Sequence, residues 1–219
     1  MSADLILVNA AIQGNVRDLR RALAAGANPN FHKPPYGRTS LQNAASYDHL
    51  EAVTILLSAG AHVDATSTSL STPLLLAVYH FPRFKFATTL TQIAIIKALV
   101  AAGADVHSRN SEYQSPFTLA LIKGHRWMLL EFLRAGAVIN TSIKAYGRNS
   151  NTVQVERIPS NASAWALVDA VKKAGGFDEY ARRQLGIHVS VLTKCFGTVL
   201  SDDVATIVAG FYAPRGGFY

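Results

Sequence analysis

The stretch GRTSLQNAASYDHLEAVTILLSAGAHVDA, Gly37 to Ala65, decides how the rest of the chain is read. Thr39 stands where a hydroxyl oxygen can cap a helix, and Leu41, Ala44 and Ala45 follow at helical spacing on a narrow face of small residues. Asp48-His49 interrupts that helix. A second helix then carries Leu50, Val53, Leu56 and Leu57 along one face, and Gly60 supplies the left-handed residue that ends it. The stretch therefore predicts one turn, helix, turn, helix and hairpin.

The same unit recurs on both sides. Gly-Ala pairs close the second helix at Gly26-Ala27, Gly60-Ala61, Gly103-Ala104 and Gly136-Ala137, spaced 34, 43 and 33 residues apart. Ahead of the first pair stand Ala10-Ala11, a Gly14-Asn15 turn, and Val16, Leu19 and Leu23, with a front expected to be trimmed and polar as befits a terminal repeat. The third unit opens with Thr72-Pro73-Leu74 and the fourth with Ser115-Pro116-Phe117, each a capping hydroxyl followed by a proline that forfeits no needed N–H. The fourth continues through Leu119-Ala120, Gly124-His125, Met128, Leu129, Phe132 and Leu133. Phe31 to Tyr36 (FHKPPY) is expected to be an extended structural loop fixed by its prolines.

This order of residues resembles the ankyrin repeat, G-x-T-P-L-x-x-A-A-x-x-G-H-x-x-x-V-x-x-L-L-x-x-G-A-x-x-N, with Thr39-Ser40-Leu41 in place of T-P-L and Asp48-His49 in place of G-H. The period of about 33 residues agrees. The resemblance implies an all-α fold, a solenoid of helix-turn-helix pairs joined by hairpin loops. It also implies that His49 and His125 make structural hydrogen bonds between neighbouring repeats and that His62 and His107 replace the hairpin aspartate. The expected organisation is a four-repeat array over residues 1–140, a connector over 141–160 with a short strand at Thr152 to Val155, and a helical cap or docking region over 161–219.

That last region, from Ala174-Gly175-Gly176-Phe177 onward, is similar to the carboxyl extension of ankyrin proteins of algae and protists. It shares fainter features with the suppressor-of-cytokine-signalling box of ubiquitin-ligase adaptors, although Leu200-Ser201 stands where that box has Leu-Pro. One helix is expected from about Ser160 to Gly175, a second through Val189, Leu192 and Val199, and a third through Val204, Ile207, Val208 and Phe211.

Composition excludes several classes of function. Half of the residues are hydrophobic, enough to bury a continuous core, and no apolar run reaches the length of a membrane span. With no secretion signal evident and a single cysteine, Cys195, cytoplasm or nucleus is the expected location. The net charge is +7, and the excess falls after residue 65, since residues 1–65 hold five basic and five acidic side chains. The glycines serve as helix stops rather than phosphate cradles, no histidine pair has metal-ligand spacing, and no cofactor is implied. His188 and Cys195 on one helix would stand two turns apart, about 10.5 Å, too far for a nucleophile and its base.

The ten-residue excess in the third unit falls at 80–90 (HFPRFKFATTL), between the paired helices. In an extended ribbon Arg83 and Lys85 would form a basic edge, and Phe84 and Phe86 an aromatic one. By resemblance, ankyrin arrays bind proteins through hairpin tips and inner helices. Carried over by position, that surface comprises Tyr36, Arg38, Ser46, Tyr47, Ser71, Tyr79, His80, Gln114, Ile122 and Lys123, with Phe81, Arg83, Phe84, Lys85 and Phe86 from the insertion. Trp127 is expected to be covered by the tail. The function this supports is a non-catalytic scaffold or adaptor for a protein partner. Alternatives are a substrate adaptor docking on a ubiquitin ligase through its tail, and a nucleic-acid-associated protein.

Overall fold

A computed structural model describes residues 2–80, 86–139, 142–144, 152–154, 162–177 and 179–183. Its helices come in pairs: α1 (Ala3–Gln13) with α2 (Val16–Ala24), α3 (Ser40–Ser46) with α4 (Leu50–Ser58), α5 (Pro73–Tyr79) with α6 (Phe86–Ala101), and α7 (Pro116–Lys123) with α8 (Arg126–Arg134). The first helices lie side by side in the order α1, α3, α5, α7, and the second helices form an outer layer in which α2 packs on α4 and α4 on α6. One apolar core runs through both layers. It is an all-α solenoid.

Each inner helix begins where a hydroxyl accepts a backbone N–H three residues on. Ser2 takes Leu5 N–H at 3.4 Å, Thr39 takes Gln42 N–H at 3.3 Å, Thr72 takes Leu75 N–H at 3.3 Å and Ser115 takes Thr118 N–H at 3.2 Å. Each outer helix ends alike. Gly26, Gly60, Gly103 and Gly136 have φ of +82°, +81°, +89° and +85°. In all four the following alanine N–H reaches back five residues, at 2.8 to 3.0 Å. A closed helix end that costs a side-chain residue strain is thus built on the residue type that tolerates it.

Two hydrogen-bond ladders join the layers. Asn30 Oδ1 accepts His62 N–H at 2.7 Å, and one unit later Asp64 Oδ1 accepts Asp105 N–H at 3.0 Å. This register makes His62 equivalent to Asp105, whereas His107 is equivalent to Asn30 and Asp64. The two histidines therefore stand at different hairpin positions rather than at one, His62 where the third unit has Asp105 and His107 where the second has Asp64. The second ladder starts from Gln42, which is fully buried; its Nε2 donates to Ala65 O at 2.9 Å and to Ser71 O at 2.7 Å.

The front of the array departs from expectation. α1 runs eleven residues from Ala3, and its Leu7 and Val8 are wholly buried, so the front is neither trimmed nor polar. The FHKPPY loop is not extended: Lys33 N–H donates to Arg38 O at 3.0 Å, and Pro34 to Gly37 turn over between them, with a cis peptide bond between Pro34 and Pro35. In the third pair α6 starts at Phe86, whereas the other outer helices start ten residues before their closing glycine, which would be Ile93 here. Part of the insertion is helix rather than ribbon, because Phe-Ala-Thr-Thr-Leu extends an apolar helix without a breaker.

Beyond α8, β1 (Ser142–Lys144) pairs antiparallel with β2 (Thr152–Gln154), Ile143 facing Val153. α9 (Ala162–Ala174) packs on α8 and buries Trp165, Leu167, Val168 and Val171. It closes like the repeat helices, with Gly175 at φ +93° and Gly176 N–H on Val171 O at 3.0 Å. The two further helices expected in the tail lie outside the described residues, as do His188, Cys195 and Leu200-Ser201.

One contact shows what sets the register between layers. His49 Nε2 donates to Ile12 O of the preceding unit at 3.0 Å, the inter-repeat bond expected of it, and its ring lies over Gly14. A Cβ at Gly14, where φ is +67°, would fall 2.5 Å from His49 Nδ1. The next layer is edited at both partners. Asp48 takes the place of Gly14, still left-handed at φ +65°, and Gln92 takes the place of His49, eleven residues before its closing glycine. A residue with a Cβ leaves no room for an imidazole above it, and the slimmer amide replaces the ring.

The exchange leaves polar atoms poorly matched. Gln92 is fully buried, and neither its amide atoms nor Asp48 Oδ1 reach hydrogen-bond geometry among the described residues. Burial raises the Asp48 pKa above the ordinary 3.8, and the nearby Gln92 amide and His49 offset this in part.

Two predictions follow from the layer contacts. Gly26→Ala, with no atom near the new Cβ, should cost about 1 kcal/mol for its left-handed backbone. Gly14→Ala adds overpacking and should cost about 3 kcal/mol, of which about 1–2 kcal/mol is recovered by His49→Ala in the same chain, measured by urea unfolding. Asp48→Asn should raise Tm at pH 7. A carboxyl whose folded pKa is raised contributes stability below its unfolded pKa and loses it as pH rises through the folded one. The gain from Asp48→Asn therefore shrinks as pH is lowered toward 4, near the unfolded value.

Candidate interaction surface

α3 is flanked by α1 and α5, so all seven of its residues are buried, and exposure begins at its cap, Tyr47. The same step from buried helix to exposed aromatic occurs at the end of α5, at Tyr79. Tyr36 rises from the Pro34–Gly37 turn. These three tyrosines are 69%, 52% and 55% exposed for Tyr36, Tyr47 and Tyr79, unusual for large side chains.

They line two adjoining grooves. The first, about 330 Å³, lies between the proline turn and α3, with Lys33, Pro35, Tyr36, Arg38 and Tyr47 in its wall. The second, about 200 Å³, crosses α5 and contains Arg38, Tyr79 and Glu112. Arg38 belongs to both and joins them. Tyr79 meets His80 edge-on, ring centroids 5.3 Å apart, and Lys123 Nζ stands 5.5 Å from the Tyr79 ring centre.

His80 carries the electrostatic imprint of this face. Its pKa lies below the ordinary 6.5, first because the surrounding protein disfavours a charged ring, then because Arg38 and Lys123 repel it.

Some carried-over positions are corrected. Ser46 and Ser71 are only 6% and 8% exposed. Ser46 is the last residue of the enclosed α3, while Ser71 precedes the Thr72 cap and gives its carbonyl to Gln42, so it reaches only the floor of the second groove. Ile122 packs partly against the core, and Gln114 is half-buried with Oε1 accepting from Asn110 Nδ2 at 3.1 Å. Tyr36, Arg38, Tyr47, Tyr79, His80 and Lys123 come together across the grooves. Phe81, Arg83, Phe84 and Lys85 lie outside the described residues, and Phe86 begins α6. Trp127 on α8 is partly buried against the core.

Lys33, Pro34 and Pro35 were not among the residues expected to bind. Their signal is the Pro-Pro pair between a lysine and a tyrosine, in a loop whose sequence suggests a structural role.

Two wider clefts offer less. The one of about 470 Å³ between α6 and α8 has its charges paired, Lys97 with Glu131 at 3.7 Å and Arg134 with Glu131 at 2.8 Å. The other, about 600 Å³ along the hairpin loops, has His32 and His62 in its wall but no tyrosine, phenylalanine or tryptophan. Among the described residues no cluster of histidine, cysteine or carboxylate side chains could hold a metal ion, and no helix is long and apolar enough to cross a membrane.

The family model for ankyrin repeats, three copies, matches residues 7–94. The chain carries ankyrin repeats. The match spans α1 to the middle of α6, and the α7–α8 pair beyond it has the same caps and closure. No curated protein matches the chain. Ankyrin repeats are generally protein–protein interaction modules and typically non-catalytic.

The depressed His80 pKa is testable by NMR titration. Its midpoint should lie below 6.5, and Arg38→Gln should move it upward by removing one repulsion. The stability that the neutral ring contributes is present above the unfolded pKa and is lost as pH falls through the folded one. An Arg38→Gln midpoint that moves down or stays in place contradicts the assignment.

Proposed function

We propose that this ankyrin array is a non-catalytic scaffold that holds a protein partner on the face formed by the Pro34–Gly37 turn and the ends of α3 and α5. The observation that carries the reading is the set of three exposed tyrosines on two grooves joined by Arg38. Tyrosine and arginine supply large contact area for little lost rotamer freedom and dominate interface energies. α3 and α5 lie fixed between buried neighbours, so Tyr47 and Tyr79 are presented from rigid helix ends. A partner therefore meets a preformed surface and orders little of the array on binding.

The insertion belongs to the same reading. α6 starts beside the end of α5, so residues 81–85 connect directly to the Tyr79–His80 end of the surface. The tail is proposed as a cap on the last repeat, supported by the packing of α9 on α8 and by its repeat-like closure at Gly175.

Affinity purification of the full chain from its source cells, with mass spectrometry, identifies the partner. Tyr36→Ala, Tyr47→Ala and Tyr79→Ala combined should lose it, each anchor being worth about 2 kcal/mol or roughly 30-fold in Kd, with Tm unchanged because all three side chains are exposed. Undiminished capture by the triple variant would refute the surface.

A further inference from the structure

The charges of this molecule differ between its outer layer and its tyrosine face. On the outer layer two ion pairs cross between repeats. Arg20 of α2 meets Glu51 of α4 at 3.5 Å, and Lys97 of α6 meets Glu131 of α8 at 3.7 Å, with Arg134 on the same carboxylate at 2.8 Å. On the tyrosine face the matching stops. Lys33 and Arg38 line one groove of about 330 Å³ with no carboxylate in its wall. Among the described residues neither has an acidic partner; Lys33 Nζ donates only to the Asn9 side-chain oxygen, at 2.8 Å. Lys123 stands over Tyr79, and the neighbouring groove adds one carboxylate, Glu112, against Arg38.

We infer that the partner segment held on this face is acidic: an extended peptide rich in Asp and Glu, with carboxylates directed to Lys33 and Arg38 and its backbone laid along Tyr36, Tyr47 and Tyr79. The inference rests on the surface proposed above and gives that surface its ligand chemistry. Three observations converge on it. The two cations sit in one concavity, where their fields add and the low-dielectric walls of Pro34 and Pro35 reduce screening. A guanidinium without an internal carboxylate keeps its bidentate geometry for an incoming one. Lys123 Nζ stands 5.5 Å from the Tyr79 ring, and after the larger effect of burial Arg38 and Lys123 both disfavour a charged His80, so positive charge is also present at the Tyr79 end. The aromatic rings add contact that is indifferent to charge, which suits side chains alternating with the carboxylates.

The titratable groups facing the grooves are Lys33, Arg38, His80, Lys123 and the tyrosines, with Glu112 the single acid in the groove walls among the described residues. Lys33 and Arg38 against the single carboxylate of Glu112 leave an excess that an acidic segment would neutralise. A basic segment would be repelled, which is discrimination by charge rather than by fit.

Selection of phage-displayed random dodecapeptides on the full-length protein tests the inference. Sequences enriched about twofold or more in Asp and Glu over the starting library are expected, with Kd rising about tenfold on Lys33→Gln with Arg38→Gln and also rising with added salt. The glutamines keep length and polarity, and thermal unfolding of the variant verifies that the array is intact. Selected peptides without acidic enrichment overturn the inference. So does acidic enrichment that Lys33→Gln with Arg38→Gln leaves unchanged. If binding then still falls on Tyr47→Ala with Tyr79→Ala, the surface stands and only the acidic class is wrong; binding insensitive to all four substitutions removes the surface as well. A fluorescein-labelled single-stranded oligonucleotide that binds as tightly as the selected peptides would overturn the peptide class.

Discussion

An ankyrin layer has no core of its own, and the contact that seats one layer on the next is the constraint from which this structure follows. A pair of helices seven to nine residues long, such as α3 with α4, buries too little to stand alone. Its alanine face becomes interior only when α1 and α5 flank it. The seat is narrow. Where Gly14 meets His49 there is no room for one carbon atom, and the imidazole satisfies Ile12 O from the neighbouring unit. Asp48 and Gln92 show how such a seat changes without being lost. Both partners are altered together, the left-handed backbone is kept, and the cost appears as buried polar atoms that find no hydrogen bond among the described residues at that layer.

Much of this was legible because the repeat uses residues whose backbone roles are nearly forced. The four closing glycines, the hydroxyl caps and the Pro73 and Pro116 starts all occupy their expected places, since a left-handed residue or a capping oxygen has few substitutes. What was illegible depended on contacts outside the local pattern. Ser46 reads as a polar surface residue until α3 is placed between two neighbours. The proline turn reads as an extended spacer until Lys33 and Arg38 pair across it. The start of α1 lacked a familiar repeat signature, yet Leu7 and Val8 complete the core simply by being apolar on the buried side.

The candidate site shows the same division. Its tyrosines followed from positional equivalence with other arrays, because any repeat of this type exposes the end of its inner helix. The groove did not. It exists because the loop between the first and second units carries Pro34 and Pro35, which rise beside α3 and turn a shallow face into a concavity with Lys33 at its wall. A surface position can be carried over from a family, whereas a concavity belongs to the particular loop that builds it.

The insertion in the third unit shows why such additions leave the array intact. Layers meet through inner helices, outer helices and hairpins. A helix start at Phe86 instead of at Ile93 lengthens α6 by seven residues, about 10.5 Å, at the end away from its hairpin. Gly103 and the hairpin after it stay in phase with Gly60 and Gly136, and Asp105 still donates its N–H to Asp64 across the boundary. The added residues change the end of the layer at which Tyr79 and His80 stand, not the faces on which its neighbours rest. Length variation is therefore admitted at the end of a repeat where Tyr79 and His80 stand and refused at its seats, so the stack can lengthen there without renegotiating its stability.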